Sequence, residues 1–469
     1  MWKNIIAKIW QVLAKMNVIK GLESVNKIKD IAVGEEHYNL VGKWKRIYSG
    51  YFPEWHDIKC HTVEGQKTRR MSSLQMAKQV AQEMATLVFN ERCQINIDNE
   101  QLSENIHNVL KANDFYKQFQ RYLEYGFALG GFVVKVFADE QGVKLSYVTA
   151  ESFYPISYTG SHVSEALFVN ESRKGKYYYT LLEWNTWENG DFVIVNQLYR
   201  SDNANEVGTP VPLDELYPGL EPETRISNLK HTLFTYFKPN TANNFDIQSP
   251  LGISIYANAL DTLHSLDVAF DSFEREFRLG KKRIIVPAQM LKTVPDPETG
   301  RVYRYFDASD EVYEGMNMDM DADKNNVLDI SVELRVEEHI SAINSMLNIL
   351  AMQTGFSSGA FSFDGEGVKT ATEVVSENSK TFRTKNSHEV LIEEGLKELI
   401  GAIIDVAELY DIFTAPDEYD IEIDFDDSIA EDRQQNADYY GGLVGQGLMP
   451  KVQAIMRIHD LPEETAQEW

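Results

Sequence analysis

The chain has 469 residues, 45 lysines and arginines against 72 aspartates and glutamates, a formal net charge of −27, and 43% hydrophobic residues. That is a globular composition with enough length for two to four domains. Such acidity excludes ordinary tight nucleic-acid binding by the surface at large, while leaving loose passage and local basic patches open. The two cysteines, Cys60 and Cys93, form no CxxC pair, which excludes a disulfide framework and a cysteine zinc site. No run reaches the roughly 18 apolar residues a bilayer crossing needs. The longest candidate, Gly126 to Ala138, contains Lys135, so no stable membrane insertion is expected.

In chain order, Trp2, Ile5, Ile6, Ile9, Trp10, Leu13 and Met16 recur at helical spacing beside Lys3, Lys8 and Lys15. No small-residue cleavage site follows, so this is an amphipathic helix rather than a signal peptide, and docking on protein is favoured over lying on a membrane. Ser72 to Phe89, Leu102 to Leu110 and Phe115 to Gly126 read as helices. Gly130-Gly131 ends that run, and Phe132–Phe137 with Val143–Val148 reads as a hairpin across Asp139 to Gly142. Strands continue through Phe192–Val195 and Thr232–Phe237, and Ser201 to Pro222 is a turn-rich surface excursion. Helices first and strands second favour α+β over a doubly wound sheet.

From Ser249-Pro250 to Gly280 a long helix is expected, with Ile253, Tyr256, Leu260, Leu263, Leu266, Phe270, Phe273 and Phe277 at steps of three and four. Val336, Ile340, Ile343, Leu347, Leu350 and Thr354 repeat the pattern. Between them, Ile284–Pro287 and Val302–Phe306 read as strands followed by an acidic loop. Two readings stand: a small β module on a helical stalk, or two core helices with a long insertion. Gly355, Gly359, Gly365 and Gly367 then alternate with Phe356, Phe361 and Phe363, a glycine-rich aromatic loop of the kind that carries function, and a new helix starts near Thr370. The stretch Asp417 to Trp469 holds fourteen acidic and three basic residues, a solvated face or interaction surface.

No chemical motif survives inspection. Gly365-Glu-Gly367-Val368-Lys369-Thr370 lacks phosphate-loop spacing, and Asp319-Met-Asp321-Ala-Asp323 starts a calcium loop that Lys324 and Ile330 fail to complete. Histidines fall at no metal-ligand spacing, and no nucleophile elbow, dinucleotide fingerprint or kinase signature is present. Lys281-Lys282-Arg283 follows the first long helix. Its cations either cap that helix's carbonyl end or face a phosphate backbone or acidic partner.

Four segments together resemble the portal, or head-to-tail connector, proteins of tailed double-stranded DNA phages, notably those of Gram-positive hosts. They are Gly126-Phe-Ala-Leu-Gly-Gly-Phe-Val-Val-Lys135, Ser249-Pro-Leu-Gly-Ile-Ser-Ile-Tyr256, Phe273-Glu-Arg-Glu-Phe-Arg-Leu-Gly-Lys-Lys-Arg283 and Gly367-Val-Lys-Thr-Ala-Thr-Glu-Val374. The resemblance implies an α+β portal architecture of wing, long-helix stem, small β-containing clip, tunnel loop and helical crown. It places N-terminal helices and wing at 1–250, a stem helix at 251–280, the clip at 281–332, and the returning stem helix at 333–354. The tunnel loop falls at 355–369, a long helix and wing return at 370–427, and the crown at 428–469.

It further implies a homo-oligomeric ring, of twelve subunits in this family, at one capsid vertex, made in the host cytoplasm, with no enzymatic activity and no cofactor. Double-stranded DNA would pass through the channel. Partners would be the terminase large subunit at the clip, later a head-tail connector, and the scaffold and major capsid protein. The tunnel-loop residues Phe356, Ser357, Ser358, Phe361, Phe363 and Lys369, and the basic cluster Lys281, Lys282 and Arg283, are the expected contact residues. For the phenylalanines, anchoring the loop in the protein is an equal reading. Two rivals remain: a baseplate or carbohydrate-binding structural protein, with Tyr177-Tyr-Tyr179, Trp184 and Trp187 as a stacking platform, and a hydrolase without a recognised motif.

Overall fold

The structure is a computed structural model of the chain. It describes residues 35–62, 65–90, 92–203, 208–280, 284–285, 292–295, 302–305, 328–329, 333–362, 379–416, 418–425 and 433–459. Helix α1 (Glu35–Tyr48) leads into a one-turn helix (Pro53–His56) and a two-stranded hairpin, β1 (Asp57–Thr62) with β2 (Gly65–Arg70). Helix α2 (Met76–Val88), strand β3 (Gln94–Ile97), and helices α3 (Glu100–Ala112) and α4 (Phe115–Leu129) follow. The apolar faces expected of α2, α3 and α4 are the buried ones: Val80, Ala81 and Met84, then Leu102, Ile106 and Leu110, then Phe115, Phe119 and Leu123.

Strands β4 (Phe132–Asp139) and β5 (Gly142–Thr149) form the expected hairpin, and β12 (Phe234–Phe237) completes a three-stranded sheet on the other side of β4. A larger sheet runs β10-β9-β8-β7-β6, made of β6 (Phe153–Thr159), β7 (His162–Lys174), β8 (Tyr177–Glu188), β9 (Asp191–Ser201) and β10 (Thr209–Val211). Strand β11 (Glu223–Ile226) also pairs with β9. The β8–β9 hairpin closes over Asn189-Gly190, both at positive φ (55° and 94°), the pairing whose backbone twist matches that of the flanking strands.

Helix α7 (Ser379–Leu409) lies against β12 and β4, burying Ile392, Leu396, Leu399, Ile400 and Ile403. Gly395 gives room for the Phe237 ring, which a Cβ there would meet at 2.6 Å. Phe237 in turn packs on Phe119 and Phe132, with ring centroids 5.0 and 5.1 Å away, so helices and sheets share one core. Strand β17 (Ile421–Asp424) then crosses back to pair with β3. Helices α8 (Arg433–Gly445) and α9 (Lys451–His459) end the described chain.

Four features differ from the sequence expectation. The hairpin β1–β2 and strand β3 interrupt what read as a run of helices. The helix expected from Leu251 begins at Leu260, because Leu251 to Tyr256 are buried in non-helical backbone and a 3-10 turn (Ala257–Ala259) precedes the helix. The acidic C-terminal stretch contributes a strand to the body, with Ile423 buried. The aromatics of the proposed sugar platform are largely internal: Trp184 is 1% and Tyr179 3% exposed, and Trp187 packs edge-on against Phe192.

Candidate functional site

The segments that drew attention in the sequence meet in space. Gly130 caps α4 at φ +93°, and a Cβ on it would lie 2.5 Å from the carbonyl oxygen of Gly252. Conversely, a Cβ on Gly252 would lie 2.4 Å from the carbonyl oxygen of Gly130. Only glycine at both positions permits this backbone-to-backbone approach. Tyr236 bridges the seam, its hydroxyl donating to the Gly130 carbonyl (3.1 Å) and accepting from the Gly252 amide (3.0 Å), while Ile255 N–H donates to the Phe127 carbonyl (3.0 Å). The seam fixes where the next helix leaves the body.

That helix is α5 (Leu260–Leu279), and α6 (Val336–Gln353) returns beside it. Thr262 donates to Gln353 at 2.7 Å near one end, and Arg335 reaches Glu276 at 3.0 Å near the other, so the pair is antiparallel. Leu263, Leu266, Ile343, Leu347 and Leu350 are buried between this pair and the body. Around it, Val268, Phe277, Leu334, Ile349 and Met352 remain 38–60% exposed. Between the helices, the described residues form two short antiparallel pairs, β13 (Ile284–Ile285) with β16 (Leu328–Asp329) and β14 (Lys292–Pro295) with β15 (Val302–Tyr305). The first pair brings the two ends of the inserted segment together.

Three carboxylates on α5 tie it to the hairpin and the turn after it. Asp267 accepts from Leu74 N–H (2.7 Å), Ser73 Oγ (3.1 Å) and His56 Nε2 (3.1 Å). Asp271 takes a bidentate grip from Arg69 (2.8 and 2.7 Å) and the Ser72 N–H (3.1 Å), and Glu274 accepts from Ser72 Oγ. The Arg69 guanidinium holds the Asp271 carboxyl below its ordinary range, against the opposing effect of burial. Sequence reasoning missed this cluster. Its signal was acids at 267, 271 and 274, steps of four and three along one side of the helix.

At the other end of α6 the chain enters the glycine-rich loop. Gly355 takes φ +88° and Phe356 N–H returns to the Ala351 carbonyl at 2.8 Å, a left-handed helix stop. Phe356 and Ser357 are each 3% exposed, Phe361 is half-buried with its ring 5.0 Å from that of Phe356, and Ser358 is exposed. Ser357 and Thr381 bond reciprocally: Ser357 N–H to Thr381 Oγ1 at 2.9 Å, and Thr381 N–H to Ser357 Oγ at 3.2 Å. This clamp ties the base of the loop to the first turn of α7. Asn348 steadies the exit by accepting from Gly359 N–H at 2.8 Å.

Of the expected contact residues, Phe356, Ser357, Ser358 and Phe361 therefore gather at the loop base. Phe363, Lys369, Lys281, Lys282 and Arg283 lie outside the described residues, as does the start of the helix expected near Thr370. Among the described residues no group of histidines, cysteines and carboxylates could hold a metal ion, and no helix is long and apolar enough to cross a membrane. The geometry is an antiparallel helix pair packed on the body, with a clamped loop following its second helix.

Comparison with known families gives a match over most of the chain. The profile described as phage portal protein, SPP1 Gp6-like, covers residues 29–469. No curated protein sequence matches the chain.

Proposed function

Because the chain belongs to the family of SPP1 Gp6-like phage portal proteins, we propose that its antiparallel helix pair is the portal stem and the segment between them the clip. The portal role in the capsid and in DNA packaging follows from the family, which is a family of structural proteins. The single observation that carries it is the family match over nearly the whole chain. The baseplate and carbohydrate reading has no support beside it.

The finer assignments are our reading. Twelve copies form a ring at the capsid vertex, assembled in the host cytoplasm, with stem helices of neighbouring subunits covering Val268, Ile349 and Met352, which a single subunit leaves in water. The clip, residues 281–332, docks the terminase large subunit during packaging and the head-tail connector afterwards. The wing meets scaffold and major capsid protein. An acidic conduit lets DNA slide without adhering.

The clamp divides the work of the loop. Phe356 and Ser357, buried at its base, anchor it, and Phe361 packs on that anchor. Ser358, Phe363 and Lys369, together with Lys281, Lys282 and Arg283 beyond the stem, are left to face DNA.

Negative-stain electron microscopy with light scattering tests the ring against the 53.6 kDa chain mass. Rings of about a dozen subunits around an open channel are expected. A monomer at every concentration, alone and with scaffold protein, would overturn the reading.

A further inference from the structure

Strand β9 lies one in from the edge of the large sheet, and its outer neighbour is interrupted. β10 pairs Val211 with Leu198, β11 pairs Glu223 with Val195, and the intervening residues 212–222 leave the sheet. Asn196 and Gln197 of β9 thus face a gap in the ladder. Asn196 N–H donates to the Pro222 carbonyl (2.9 Å), but proline has no N–H to return.

The excursion over this gap is fixed rather than loose. Tyr179, Leu181 and Leu198 form a small separate core with Leu213, Leu216 and Leu220. Glu215 accepts from Tyr179 Oη (2.8 Å) and Arg200 Nη1 (2.5 Å), and Lys174 Nζ donates to the Glu215 carbonyl (3.0 Å). What remains between excursion and strand is a groove of about 560 Å³.

Its chemistry is one-sided. Asp214 and Glu221 are its only charged lining groups among the described residues, and no lysine, arginine or histidine lines it. Asn196 is 7% exposed, and its Nδ2 donates to the Glu221 carbonyl at 2.9 Å. A carbonyl can only accept, so the amide orientation is set, and Asn196 Oδ1 is the end left without a partner. A buried acceptor in this state calls for a donor, and Asn196 shares the sheet face of Leu198, which the excursion covers.

We propose that this groove is a docking site for a partner protein that inserts an arginine- or lysine-bearing extended segment. The cation donates to Asn196 Oδ1 and pairs with Asp214 and Glu221, while the apolar rim at Pro210, Pro212 and Leu213 receives its aliphatic stem. Nothing in this step depends on the portal reading, and the test reads binding alone.

The test is fluorescence anisotropy with the full-length protein and a labelled glycine/serine peptide carrying two arginines. A second peptide carries citrulline, which keeps the shape and loses the charge. Asp214→Asn with Glu221→Gln should weaken the arginine peptide about tenfold or more, the scale of lost charge-assisted hydrogen bonds. Glu83→Gln with Glu104→Gln, an equal charge change on exposed faces of α2 and α3, should leave it unchanged. The citrulline peptide should bind the unaltered protein as weakly as the arginine peptide binds the groove variant.

Equal weakening by both double variants would reduce the effect to overall acidity and overturn the proposal. Equal binding of the two peptides would overturn it as well, and that arm needs no change to the protein. Binding that appears only when the lysines at positions 3, 8 and 15 are replaced by glutamine would mean the chain's own N-terminal segment is the occupant, again overturning an external partner.

Discussion

The glycine seam and the α5–α6 helix pair, proposed above as the stem, are adjacent, yet they are held together in opposite ways. At the seam, Gly130 and Gly252 bring two main chains so close that no side chain fits, and the half-buried Tyr236 bonds both of them. In the stem, ordinary apolar packing and three carboxylates do the holding, and large side chains such as Met352 stay 60% exposed. The seam is complete within one chain, whereas the helix pair leaves large apolar side chains in water.

The seam is the easier to break. Gly130→Val adds branched atoms against the Gly252 carbonyl and forces a β-branched residue to φ +93°. A loss of more than about 4 kcal/mol is expected, with little soluble protein. Thermal unfolding of any folded fraction checks it, and a near-normal midpoint would mean the two main chains are not in contact.

A pH titration separates the body from the stem. Burial pushes His388 of α7 down to about 4 from its ordinary 6.5, and its Nδ1 accepts the Asn240 N–H at 3.0 Å. Burial likewise drives His37 to about 4, against the raising effect of Asp246. Between pH 6.5 and 4 the unfolded chain binds these protons and the folded one does not, so stability must fall as pH drops across that window. Each histidine contributes roughly 3 kcal/mol of that loss. Chemical unfolding at stepped pH should show the slope, and His388→Gln, which keeps an acceptor and does not titrate, should flatten it by about half. Asp271 acts lower: its depressed carboxyl adds stability above the ordinary carboxylate range that is lost as pH falls through its folded value.

Asp271→Asn probes the stem directly. It removes the charge from the bidentate Arg69 contact but leaves an oxygen for Ser72 N–H. Because the Arg69 side chain is 30% exposed, the expected cost is modest, about 1–2 kcal/mol. Proteolysis should then cut the β1–β2 hairpin faster, since a two-stranded hairpin has little stability of its own. Unchanged cleavage would detach the hairpin from the stem.

Legibility in the sequence follows the same division. Regular apolar spacing announced α2, α3, α4 and α6, and the β4–β5 hairpin came within a residue or two, because each buries one face and alternates as such elements must. The start of α5 was misjudged because Leu251 to Tyr256 are as apolar as a helix face, while the Gly130–Gly252 approach that keeps them out of helix is a tertiary contact. The β1–β2 hairpin was invisible because its residues are mostly exposed and carry no apolar alternation. Asn189-Gly190 was a hairpin signal standing in plain view. At the loop, the aromatic residues were found, but which of them anchors depends on Thr381, some twenty residues downstream.

The smallest expected effect is the sharpest test of the contrast. Ile349 and Met352 lie about one helical turn apart on α6, 45% and 60% exposed. Replacing both with serine removes apolar surface that the isolated chain leaves about half in water, so chain stability should fall by about 1 kcal/mol or less. A neighbouring stem that covers those side chains would lose that packing, and the ring population seen by light scattering should fall at protein concentrations where the unaltered chain is fully assembled. Leu350→Ala, one residue away but fully buried, should do the reverse, costing about 2–5 kcal/mol of chain stability through a core cavity. If the serine pair instead destabilises the chain while rings persist, those side chains face the subunit's own body, and the stem is as self-sufficient as the seam.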